Sequence, residues 1–139
     1  MNVQTRQLVW QRARHRCEYC RIHQDDEPFY RLHVEHIIAK QHGGTDGLDN
    51  LALSCHHDND HKGTNLSGID PTTRKVTRLI NPRRQRWARH FYFNGPMIIG
   101  RTQCGRATVA VLALNARDRV ELRAELIASG EFPPGTGRR

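Results

Sequence analysis

Two short groups of metal-type donors constrain this chain more than any other feature. Cys17-Glu18-Tyr19-Cys20 is a Cys-x-x-Cys pair, and Cys55-His56-His57-Asp58 repeats the same i,i+3 spacing with a carboxylate at its end. A zinc ion shared by the two turns would pin the first helix to the strand-strand-helix unit and substitute for a small core. Three thiols and a fourth donor fit a tetrahedral structural zinc site. Asp58 has the spacing and the negative charge for the fourth position; His57 is the alternative, with His56 behind it. A carboxylate is harder than a thiolate, so zinc should be held less tightly than by four cysteines. Cys104 is remote and reads as a small buried apolar side chain. The N-terminal MNVQTRQLVWQRARHR lacks the apolar region of a signal peptide, and no run approaches the roughly 20 apolar residues of a membrane span. We therefore expect a cytoplasmic protein, in which cysteines serve as metal ligands rather than disulfides.

Periodicity predicts a helix over 3–15, with Val3, Leu8, Trp10 and Ala13 on its apolar face and Arg6, Arg12, Arg14 and Arg16 outside it. A polar loop over 21–28 ends at Pro28. The aromatic and β-branched run Phe29 to Ile38 reads as a strand. Gly43-Gly44 and Asp46-Gly47 are turns, Leu51 to Leu53 is a second strand, and Cys55 to Lys62 is a helix stopped by Gly63. Beyond it, 66–80 reads as a hairpin turning at 70–73, and 83–93 as helix then strand. Asn94-Gly95-Pro96 is a turn and Met97–Ile99 a strand. Two helices follow, Gly105 to Leu114 with Ala107, Val111 and Leu114 inward, and Arg117 to Ser129 with Val120, Ala124 and Ile127 inward. The tail EFPPGTGRR reads as frayed. The fold class is α+β: a strand-strand-helix core framed by zinc, carrying a β-hairpin and two C-terminal helices. Residues 1–65 form the core and 66–139 an extension packed on it.

Within the core, Glu35-His36 offers hard oxygen for Mg²⁺ or Mn²⁺ beside an imidazole able to take a proton from water near neutral pH. Neighbours on a strand point apart, so both reach one site only where the strand ends or bends. His33 is a neighbouring supporting side chain.

The order Val34-Glu35-His36-Ile37-Ile38, Gly43-Gly44, Asn50-Leu51, Cys55, then Asp58-Asn59-Asp60-His61-Lys62 closely resembles the HNH nuclease family, whose fold is the ββα-metal unit. The likeness covers residues 15–65, with Glu35 where Asp is commoner and Asp58 where a fourth Cys is usual. INPRRQRW also resembles an extension of small stand-alone bacterial HNH proteins. The resemblance implies that His36 is the general base and that Asn50 bridges the loop behind it. It also implies that Glu35 and Asn59, or His61 instead of Asn59, hold the catalytic cation. Products would carry 5′-phosphate and 3′-hydroxyl ends.

The chain carries 22 Lys and Arg against 14 Asp and Glu, a net charge of +8, which favours a polyanionic partner. Lys62, Arg74, Lys75, Arg78, Arg83, Arg84 and Arg86 are the expected nucleic-acid contacts, with Arg89 and His90 beside Trp87. Trp87 is expected in the core. The function expected is a metal-dependent endonuclease acting on DNA, with RNA possible. The alternatives are a catalytically inactive zinc-stabilised nucleic-acid-binding module, or an RNA-directed nuclease toxin or defence effector. No segment is diagnostic of a subunit interface.

Overall fold

Asn2 starts the first helix: its side-chain oxygen accepts from the Thr5 amide at 2.8 Å, satisfying one of the amides a helix start leaves unpaired. In the computed structural model, which describes residues 1–134, this helix is α1, Val3–Arg12. Its buried stripe differs from the expected one. Val9 and Ala13 are buried, while Val3 and Leu8 are 68% and 49% exposed. Only the i,i+4 pair Val9/Ala13, flanked by Trp10, meets the core.

The next elements are strand β1 (His33–His36), strand β2 (Leu51–Ser54) and helix α2 (His56–Lys62). β1 and β2 pair antiparallel, with His36 opposite Leu51 and Glu35 opposite Ala52. The strand expected from Phe29 is confined to four residues. The Gln24 side chain donates to the Tyr30 carbonyl and accepts from the Leu32 amide at 2.7 Å, occupying backbone groups that a strand would pair. α2 begins at Cys55, whose sulfur accepts the Asp58 amide, and ends before Gly63, whose φ of +53° relieves the next turn.

Beyond the core lie a hairpin of β3 (Ser67–Ile69) and β4 (Val76–Arg78), a short helix α3 (Trp87–His90), and a second hairpin of β5 (Phe91–Asn94) and β6 (Met97–Gly100). Helices α4 (Gln103–Val111) and α5 (Arg117–Ala128) complete the described order. Asp70 anchors the β3–β4 turn: it accepts from Thr72 and Thr73 and from both nitrogens of the Arg106 fork. One apolar cluster runs through both parts of the chain, joining Val9, Tyr19, Ile22, Leu51 and Leu53 to Phe91, Ile98, Leu112 and Leu114.

Two expectations for the C-terminal part are corrected. Ala124 is exposed, and the buried residues of α5 are Arg119 and Arg123. Their charges are accommodated because each guanidinium has fixed acceptors: Arg119 forks onto Glu27 at 3.0 Å, and Arg123 donates to the Pro96 and Leu114 carbonyls. Helical hydrophobic periodicity is blind to such a face. The tail is also less free than expected as far as it is described. Phe132 is buried, with its ring edge-on to Phe93 at 5.0 Å. Residues 135–139 lie outside the described part.

Candidate metal centre and active site

Cys17, Cys20, Cys55 and Asp58 converge, with all four ligand atoms within 4.8 Å of one another and all four residues buried. The Cys20 and Cys55 sulfurs are 3.8 Å apart, matching the edge of about 3.8 Å of a tetrahedron with metal–sulfur bonds near 2.3 Å. The turn that presents Cys17 closes with the Cys17 amide on the Ile22 carbonyl, and the Tyr19 and Cys20 amides point at the Cys17 sulfur. Burial pushes the Cys17 thiol and the Asp58 carboxyl above their ordinary ranges, while Cys20, against its own burial, is pulled down by hydrogen bonds from Cys17 and Cys55. Asp58 Oδ2 is 3.1 Å from the Cys17 sulfur, while its Oδ1 is buried without a partner. This donor set fits zinc. His57 is not part of it: its Nε2 lies 2.8 Å from the Ala113 carbonyl. His56 stacks on Tyr30, and Cys104 bonds Gln85 away from the cluster.

Four anionic donors around a divalent ion leave excess negative charge. Arg119, at 3.5 Å from the Cys55 sulfur, offsets part of it. Burial opposes its charge, but the Glu27 fork and the nearby thiols outweigh that and raise its pKa.

The second centre lies where β1 ends. A cleft of about 440 Å³ is lined by His33, Glu35, His36, Lys40, Asn59 and Gly63, among others. His36 Nε2 lies 2.7 Å from Asp46 Oδ1. Hydrogen bonds from His36 and Lys40 hold the Asp46 carboxyl down at about 2, so it is an anion at neutral pH. Sequence reasoning took Asp46 only as a turn residue. An acid in the loop after Gly43-Gly44, ten residues beyond the histidine, carries no spacing signal of its own.

Asn50 sits behind this loop as expected. Its amide group accepts from the Ile38 amide and donates to the Ile38 and Thr45 carbonyls, at 2.9 to 3.0 Å. A Cβ on Gly44 would lie 1.7 Å from the Ile38 carbonyl oxygen, so only glycine fits against this clamp. Asn50 thus positions the chain that carries His36 and does not itself face the cleft.

The alternatives for the last motif position separate. Asn59 faces the cleft; His61 does not, its Nδ1 lying 2.8 Å from the His57 carbonyl and its ring against that of His57. Glu35 reaches the cleft wall but is buried, accepting from Tyr19 Oη and from Lys62 Nζ. Burial pushes its carboxyl up, against the pull of Lys62.

Lys62 corrects an expectation. It is 2% exposed, and its ammonium donates to Glu35 and to the His36 and Ile37 carbonyls. An ammonium satisfied in this way reaches no phosphate. Arg83 is likewise drawn inward, paired with Glu18; burial lowers its pKa to about 10. Arg74, Lys75, Arg78, Arg84 and Arg86 are exposed. Arg78 and Arg84 line a separate cleft behind Gly44 and Asn50. Trp87 packs on Phe91 and Phe93, with its Nε1 donating to the Tyr19 carbonyl.

Residues 17–65 match the family model described as HNH endonuclease. A Septu protein PtuB of Bacillus thuringiensis is 30% identical over 119 residues, covering 84% of this chain and 43% of that protein. The chain therefore spans less than half the length of the curated relative it matches. No solved structure matches. Among the described residues no helix is long and apolar enough to cross a membrane. The paired His36 and Asp46, the clamp of Asn50, the cleft-facing Asn59 and the buried Cys₃Asp cluster all fall within the matched stretch or complete its frame: residues 17–65 are an HNH endonuclease domain.

Proposed function

We propose that this protein is a metal-dependent endonuclease that hydrolyses phosphodiester bonds in DNA. The observation that carries the reading is the His36–Asp46 pair at 2.7 Å in a cleft shared with Asn59 and Glu35, within an HNH domain. With Nε2–H donating to Asp46, the other ring nitrogen, Nδ1, accepts a proton from the attacking water. The tautomer is inferred from that hydrogen bond. Asp46 fixes the ring orientation and favours the imidazolium formed during attack. Glu35 and Asn59 supply hard oxygens for Mg²⁺ or Mn²⁺, which would offset charge on the phosphate and the leaving 3′ oxygen. The net charge of +8 draws the polyanion to the cleft.

The test is plasmid cleavage by purified protein with Mg²⁺, Mn²⁺, Zn²⁺ or EDTA. Supercoiled DNA should become nicked or linear only when a divalent metal is present. A second reading, an inactive nucleic-acid-binding module, is favoured by one observation: both Glu35 oxygens are already bonded, to Tyr19 and Lys62. Retained DNA binding without cleavage in any metal would select it; cleaved RNA with intact DNA would change the substrate.

Asp46→Asn should lower kcat about 10–100-fold, as removal of a ring-orienting partner does at comparable sites, with KM little changed. The sign of the pH dependence follows from the depressed carboxyl. Its charge is fully present above the ordinary carboxylate range and is lost only as pH falls through about 2. Asp46 therefore adds no ionisation of its own to the pH profile across about pH 5–9. A variant as fast as wild type would remove Asp46 from the mechanism.

A further inference from the structure

Beside the His36 cleft runs a larger one of about 800 Å³, between α1 and the segment leading into β1. The two share His33 and Val34 in their walls and so adjoin. Arg6, Gln7, Trp10 and His15 line it from the α1 side, and Arg31 from the other. The Arg31 guanidinium carbon lies 4.4 Å from the Trp10 ring centroid, and the His15 ring meets Trp10 edge-on at 5.2 Å. Among the described residues no acidic side chain lines this groove, and α1 contains none, reading VQTRQLVWQR. Arg6, Gln7, His15 and Arg31 are exposed.

We infer that this groove takes unpaired nucleotides of the strand cut at His36. The inference rests on the nuclease reading and adds where the strand runs. Stacked guanidinium and indole planes offer a platform to a bare base, and exposed guanidiniums meet the phosphates beside it. A duplex keeps its base faces within its own stack and presents none to such a platform. The volume lies in the range of sites for compact ligands, and the absence of carboxylates removes the repulsion that a phosphate would otherwise meet.

The test is fluorescence anisotropy of labelled oligothymidylate and of a labelled DNA hairpin duplex, in buffer without Mg²⁺ or Mn²⁺. The proteins are wild type, Arg6→Ala, Arg31→Ala and the double variant. The positions are exposed, so unchanged circular dichroism is the folding control. The double variant should bind the single strand at least about tenfold more weakly. Its slope of log affinity against log salt should be shallower by about 1.4, two phosphate contacts on a single strand. Duplex affinity should change much less. Unchanged single-strand binding, or an equal loss for duplex, overturns the groove. Failures of the two readings are distinguishable: metal-dependent cleavage with indifferent arginine variants sinks the groove alone. Weakened single-strand binding by a protein that cleaves nothing upholds the groove and sinks the nuclease reading.

Discussion

His36→Ala is expected to slow DNA cleavage about 10²–10⁴-fold, the usual contribution of a positioned general base. The ring is partly exposed at the end of β1, and among the described residues its side chain makes one hydrogen bond, to Asp46. Its removal leaves the hairpin intact, because the His36 carbonyl and its pairing with Leu51 belong to the backbone. Melting temperature and zinc content should therefore stay near wild type while turnover falls. His36→Gln keeps polarity and bulk but cannot take up a proton, and should be as slow. A cleavage rate within a few-fold of wild type would sink the assignment of the base. Loss of the fold in both variants would make His36 structural instead.

The metal centre should matter as much, but for stability. Cys20→Ala or Asp58→Ala is expected to abolish zinc binding and unfold much of the protein. Structural zinc sites contribute about 10–16 kcal/mol of apparent binding free energy in small peptides, comparable with or above the about 5–15 kcal/mol of net stability of a whole domain. The cluster ties the Cys17 turn to α2 and, through Cys55 and Arg119, to α5. The measurements are zinc stoichiometry and melting temperature with and without a chelator. One zinc per chain and a sharp fall in melting temperature on chelation are expected. Asp58→Cys, which restores a fourth thiolate, should release zinc more slowly than wild type. A metal-free protein with an unchanged melting temperature would show that packing alone holds the cluster together.

The two centres were legible in sequence to different depths. Cys-x-x-Cys and Cys-x-x-Asp could be read because metal ligands on a turn must keep a short, fixed spacing, and the structure brings all four together. Asn50 was legible only through the family resemblance; its hydrogen bonds go to the loop it closes, a few residues away along the chain or across one hairpin. Lys62 was misjudged because a charged residue late in a short helix reads as solvent-facing. Its burial depends on Glu35, 27 positions earlier and brought beneath it by the hairpin.

The sequence by itself determined the strand-strand-helix order, the zinc frame and the Glu35-His36 step, because local spacing, turn chemistry and metal geometry act over a few residues. Only the tertiary structure decided which side chain faces each centre: Asp58 rather than His57 joins the three cysteines, and Asn59 rather than His61 lines the cleft. Positions one or two apart on one helix have almost the same sequence signal but point different ways, and what each meets is set by distant chain. Asp46 turned toward His36, Arg119 set behind Cys55, and Arg31 laid over Trp10 belong to the same class. Each contact joins segments whose separation along the chain carries no periodicity, so only packing brings them together.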